Sequence, residues 1–264
     1  MAGFTRRLAA FGAAAFASMT FAAPMTAQQD PAVASVAAST VASVAENATA
    51  DCVILLHGLA RSSSSMNVME RRLRRAGFTV VNVNYPSTDA PIASLAKAYL
   101  PPAIAGCRDA PHIHFVTHSM GGILLRRWAA EHAIPKAGRA VLLGAPNGGS
   151  EIVDTFGAWD LFAVINGPAG LELATGPNGT PAKLPDALPM DALLIAGSIS
   201  LNPVYSALIE GDNDGKVSVT SAFAMKAKEK IILPVSHTWM MMNGEVIDAT
   251  LSFLKTGASN VKPR

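Results

Sequence analysis

The stretch Phe115-Val116-Thr117-His118-Ser119-Met120-Gly121-Gly122 runs from apolar residues into a serine and small residues, then on through Leu124 and Trp128 in a helical pattern. A strand that breaks at once into a helix leaves the junction residue on a sharp turn, its side chain held out into a cleft. The first N–H groups of the following helix have no intrahelical partner and carry partial positive charge, which suits an anion developing beside the serine. Gly121 permits the close approach such a turn demands. Ser119 is therefore a candidate nucleophile, but Ser-x-Gly combinations recur by chance, so its meaning rests on what surrounds it.

Outward from this turn, short apolar runs alternate with helical patterns. Cys52 to Leu56, Phe78 to Val83, Ile113 to Thr117, Ala140 to Gly144, Ala192 to Ala196 and Lys230 to Val235 read as strands. Their continuous apolar character suits strands buried on both faces of a parallel sheet. Helices are expected over Ser65 to Ala76, Pro91 to Ile104, Ser119 to His132 and Glu245 to Leu254. The alternation makes the fold class α/β. Residues 147–190 break the rhythm with many Gly and Pro and the patch Trp159-Asp160-Leu161-Phe162-Ala163-Val164-Ile165. They read either as an ordinary loop-and-helix excursion or as a lid or acyl-binding wall.

Three further segments accompany the serine. Leu55-Leu56-His57-Gly58-Leu59 ends the first strand; Glu210-Gly211-Asp212-Asn213-Asp214-Gly215-Lys216-Val217 follows a late strand; Val235-Ser236-His237-Thr238 follows the last. Together with the serine turn they resemble the α/β-hydrolase superfamily, in particular its bacterial lipase and esterase branch, over about Asp51 to Leu254. The resemblance implies a compact α/β-hydrolase fold, with a mostly parallel central sheet of about six strands flanked by helices. It implies Ser119 as nucleophile, His237 as general base and Asp214, in preference to Asp212, as the acid, in the chain order of that superfamily. The backbone N–H groups of Leu59 and Met120 map onto its oxyanion hole. The first glycine of the usual elbow is Thr117 here, and its Cβ crowds the passing helix. His57 precedes the nucleophile and is read as shaping its loop; His112, His114, His118 and His132 are read as packing or surface residues.

The implied chemistry is cleavage of carboxylic esters of the lipase or carboxylesterase type through an acyl-enzyme. A thioesterase, amidase or acyltransferase with the same triad is the alternative, and a silent binding protein on the same fold is another. The scheme needs no cofactor and no metal. The acidic Gly-containing segment at 210–217 lacks the remaining ligands of a calcium-binding EF-hand. Trp159, Phe162 and Trp239 are candidate substrate contacts, since the apolar patch and Trp239, beside Met240, Met241 and Met242, suit an acyl chain better than a charged substrate; core packing is the competing reading for the methionines. A small-molecule ester or lipid is the expected partner, with the chain acting as a monomer.

Composition sets outer limits. At 264 residues and 50% hydrophobic content, the chain can bury the core of one α/β domain. Arg6 and Arg7, an apolar run from Leu8 to Phe21, and small residues to Ala27 have the layout of a signal peptide over about 1–27. The run is short for a spanning helix, which needs about 20 residues. Residues 28–50 read as a flexible leader and 51–264 as the catalytic domain, exported to the periplasm or secreted. Without the signal segment's two arginines, 19 basic residues stand against 19 acidic ones, which argues against nucleic acid as a partner. The basic run Arg71 to Arg75 reads as a solvated helix face.

The last expectation depends on the resemblance. In the α/β-hydrolase fold, the strands leading to the His-Gly loop and to the nucleophile are parallel neighbours. Cys52 begins one and Cys107 shortly precedes the other, so both sulfurs belong at the end of the sheet opposite the active site. A structural Cys52–Cys107 disulfide is expected, as export permits.

Overall fold

The computed structural model describes residues 50–261, except Asn202, and only the backbone of 160–163. The expected signal segment and all but the last residue of the leader lie outside the described residues.

In chain order the elements are β1 (Cys52–Leu56), α1 (Asn67–Arg75), β2 (Thr79–Val83), α2 (Ile92–Gly106), β3 (Ile113–His118), α3 (Met120–Ala129), β4 (Ala137–Leu143), α4 (Glu151–Phe156), α5 (Asp160–Leu171, broken at Gly167), α6 (Thr180–Lys183), β5 (Asp191–Gly197), α7 (Pro203–Leu208), α8 (Val219–Ala222), β6 (Glu229–Leu233) and α9 (Gly244–Thr256). The strands form one six-stranded sheet in the order β2-β1-β3-β4-β5-β6. Every pairing is parallel. This is the α/β architecture expected, parallel throughout.

Strand periodicity explains why the runs are apolar without interruption. Cys52, Ile54 and Leu56 of β1, Phe115 of β3 and Leu142 of β4 face a core shared with α2 and α3. Val53, Leu55, Val116, Val141 and Leu143 face the opposite core, closed by Met69 and Leu73 of α1 and by Val246, Ile247 and Phe253 of α9. Both faces are covered, so successive side chains are buried whichever way they point. Each fully buried Leu, Ile or Phe contributes roughly 1.5–3 kcal/mol of transfer free energy. Met240 and Met241 are fully buried in the second core, so of the two readings of the methionines, packing holds for this pair.

All strands end on one edge, which gathers the loops after β1, β3, β5 and β6. The opposite edge is tied covalently. Cys52 pairs in register with Ile113, Cys107 caps the end of α2, and the two cysteines form a disulfide with Cα atoms 5.6 Å apart. Among the described residues no helix is long and apolar enough to cross a membrane.

Candidate active site

Ser119 sits between β3 and α3 with φ 53° and ψ −125°, a left-handed conformation that costs a non-glycine residue on the order of 1–3 kcal/mol. Two backbone bonds hold it. The Ser119 N–H donates to the Leu143 carbonyl at 2.9 Å, and the Gly122 N–H donates to the Ser119 carbonyl at 2.9 Å. The two glycines that follow do different work. A Cβ on Gly121 would lie 2.6 Å from the Leu56 carbonyl oxygen and 2.8 Å from that of His57, so only glycine lets α3 start against the end of β1. A Cβ on Gly122 would lie 3.2 Å from Thr117 Oγ1 and 2.7 Å from Ala145 Cβ. Thr117 thus occupies the elbow's first position because Gly122 has given up the space its side chain takes.

The loops that carry Asp214 and His237 meet beside this turn. His237 Nδ1 and Asp214 Oδ2 are 2.7 Å apart, both residues buried. The other carboxylate oxygen, Oδ1, accepts the N–H groups of Lys216 at 3.0 Å and Val217 at 2.8 Å. The His237 N–H donates to the Asp214 carbonyl at 3.0 Å. Asp214, not the exposed Asp212, therefore reaches the imidazole. Room for the pair comes from Gly144 at the end of β4, where a Cβ would stand 3.0 Å from Asp214 Oδ2 and 3.2 Å from His237 Nδ1. With Nδ1 occupied, Nε2 is the ring nitrogen left for another partner.

Ser119 and His237 line one cavity of about 430 Å3. Among the described residues the Ser119 hydroxyl has no protein hydrogen-bond partner. Leu59 lines the same cavity and Met120 opens α3 with its side chain buried. Neither Leu59 N–H nor Met120 N–H donates to a backbone carbonyl among the described residues, so both donors are available.

His57 shapes its loop. Its Nδ1 lies 2.9 Å from the Gly58 carbonyl, its Nε2 accepts the Tyr85 N–H at 3.4 Å, and its ring stacks on Tyr85 at 4.0 Å. Burial, foremost, keeps its pKa below the ordinary histidine value. The Tyr85 hydroxyl, which burial keeps protonated, donates to the His57 carbonyl. His118, read as a packing or surface residue, is buried and lines the cavity: its Nε2–H donates to the His237 carbonyl at 3.0 Å. Burial, then repulsion by His237 and Arg61, holds its pKa well below the usual value. His114 is also buried, accepting the Arg139 N–H at 2.9 Å and facing Asp51 at 3.2 Å.

Of the candidate substrate contacts, Trp159 lines the cavity and packs edge-on to Phe156 at 5.0 Å. Trp239 is 54% exposed and does not line it. Its neighbours Met240 and Met241 face the core, which turns the tryptophan outward. The side chain of Phe162 lies outside the described residues. Sequence reasoning missed the remaining walls: Ile152, Val153 and Phe156 from α4, Leu173, Tyr205, and the cations Arg61 and Lys216. Only the apolar character of 147–190 hinted at any of them. Among the described residues, no three His, Cys, Asp or Glu side chains gather closely enough to hold a metal ion.

No curated protein matches the chain by sequence. Among solved structures, the mature form of Bacillus licheniformis lipase BlEst2 superposes with a TM-score of 0.57 at 21% identity, covering 76% of this chain and 88% of that one. The product of gene lin2722 from Listeria innocua gives 0.55 at 18% identity, over 81% and 95%. The metagenomic carboxyl esterase MGS0156 gives 0.55 at 19%, over 70% and 64%. At these identities the likeness is one of fold. The sequence model described as the alpha/beta hydrolase family matches residues 53–249, and with the parallel sheet and its loops on one edge, the chain belongs to the alpha/beta hydrolase family.

Proposed function

We propose that this protein hydrolyses carboxylic esters through an acyl-enzyme on Ser119. The observation that carries the reading is the buried Asp214–His237 bond of 2.7 Å at the wall of a cavity that Ser119 also lines from a strained turn. In the proposed reaction, His237 Nε2 takes the Ser119 proton as Oγ attacks the acyl carbonyl. Asp214 fixes the imidazole tautomer through Nδ1 and stabilises the imidazolium that forms. The tetrahedral oxyanion is met by the N–H groups of Leu59 and Met120. Collapse expels the alcohol, which takes the proton from His237; water, deprotonated by the same base, then releases the acid.

The apolar walls from α4, α5 and Leu173 support an acyl chain as the group bound beside the serine. The lipase and esterase names among the fold relatives agree with that preference over thioester or amide substrates. The disulfide agrees with an oxidising destination and hence with export. Active-site titration with a fluorophosphonate should label one equivalent of wild-type protein and none of a folded Ser119→Ala variant. Esterase turnover retained by that variant would refute the mechanism.

A further inference from the structure

The cavity lining over residues 150–173 is mostly apolar, yet among the described residues the lining also includes two cations and no carboxylate. Arg61 comes from the loop after β1 and Lys216 from the segment between α7 and α8, so the fold, not a local run of charge, brings them together. Neither makes an ion pair among the described residues. The carboxylate nearest Lys216 in sequence, Asp214, already has Oδ2 on His237 and Oδ1 on two backbone N–H groups. We propose that Arg61 and Lys216 select esters whose alcohol portion carries an anionic group, a carboxylate or a phosphate, while the apolar wall takes the acyl chain. This rests on the reading of the cavity as an ester-hydrolysing site.

The physical argument is one of desolvation. Lys216 lines the cavity while remaining exposed to solvent, and its pKa is lowered, first by desolvation among the surrounding protein atoms and then by the charge of Arg61, against the pull of Asp214. In the empty cavity, water screens the repulsion between the two cations. A bound acyl chain displaces that water, and the repulsion grows as the local dielectric falls. An anion on the departing alcohol offsets it; a neutral alcohol leaves it uncompensated. The acyl chain is held by α4 and its neighbours, so the alcohol is the part of the ester left to face the two charged loops.

The test uses the hexanoate esters of 4-hydroxybenzoate, of its neutral methyl ester, and of 4-hydroxyphenyl phosphate. For each anionic ester the ratio of its kcat/KM to that of the neutral ester is compared between proteins, so intrinsic reactivity cancels. In an Arg61→Gln/Lys216→Gln double variant the ratio should fall roughly three- to tenfold. The Lys216→Arg variant should keep it, and added salt should shrink it in wild type. A fall in either anionic arm supports the site, and the arm with the larger fall names the headgroup. Ratios unchanged in both arms overturn it. Calorimetric binding of the same esters to Ser119→Ala, with and without the two cations, separates the two claims. Anion-dependent binding without wild-type turnover sinks the hydrolase reading alone, and binding indifferent to Arg61 and Lys216 sinks this one.

Discussion

Replacing Gly121 by alanine tests the junction on which the proposed chemistry depends. The new Cβ would lie 2.6 Å from the Leu56 carbonyl oxygen, where ordinary contact begins at 3.4 Å, so the start of α3 and the end of β1 must part by about 0.8 Å. Both obstacles are backbone, with no flexible side chain to swing aside. Overpacking of this kind costs about 1–3 kcal/mol, which lowers the midpoint of thermal unfolding by roughly 2–4 °C per kcal/mol in a domain of this size. The same displacement separates the Met120 N–H from the Leu59 N–H. A misplacement near 1 Å in such a constellation costs on the order of 100-fold in turnover. Gly244→Ala is the control, since a Cβ there meets nothing within 4 Å. The assay is kcat on a p-nitrophenyl ester beside a thermal melt of each protein. A Gly121→Ala protein with a lowered midpoint but wild-type kcat would refute the claim that this contact sets the oxyanion donors. Unchanged values of both would refute the contact itself.

The remaining predictions concern the acid, the bridge and pH. Asp214→Asn should keep the fold but lower kcat by roughly 10³–10⁴-fold, because an amide no longer fixes the imidazole tautomer; a loss of less than tenfold counts against Asp214 as the acid. Opening the Cys52–Cys107 disulfide, which spans 55 residues, should remove about 4 kcal/mol by the loop-entropy relation, seen as a lower melting midpoint in reductant and in a Cys52→Ala/Cys107→Ala variant; equal midpoints would contradict this. His57, His114 and His118 all have lowered pKa values, chiefly from burial. The folded state therefore favours their neutral forms: this contribution is full above about pH 6.5, where the unfolded chain is neutral too, and is lost as pH falls toward the depressed folded values. Melting midpoints should drop between pH 7.5 and pH 5, and a rise would contradict the assignment.

The sequence was most legible where residues are buried on both sides. The run Cys52 to Leu56 reads as a strand because neither face meets water, and the structure has β1 over those same residues. Ends were less legible: α3 stops at Ala129, short of His132, whose ring stacks on Trp128 at 3.7 Å outside the helix. Ser119, Asp214 and His237 stood out because each follows a strand within a recognisable local pattern. Thr117 could not be judged from the sequence, because its accommodation depends on the missing Cβ of Gly122, five residues away and across a turn. Trp239 misled for a related reason. Proximity in sequence to His237 says nothing about direction when the next two residues are committed to the core. Arg61 and Lys216 were invisible as a pair, since only the order of the strands brings their loops together.

The disulfide divides the molecule mechanically. It staples the root of the strand that leads to Leu59 to the end of α2, the helix that feeds the strand leading to Ser119, so those two parts ride on one reinforced frame. Asp214 and His237 hang from β5 and from β6, the unreinforced border of the sheet. Peeling of that border would take His237 and Asp214 away from Ser119 with the stapled frame intact. On the proposed mechanism, activity should then be lost before the global fold. Met240, whose Cε reaches the Cβ positions of Gly144 and Gly197 where β4 and β5 end, is the contact whose strengthening should extend the life of the proposed site, where a second bridge near the first should not.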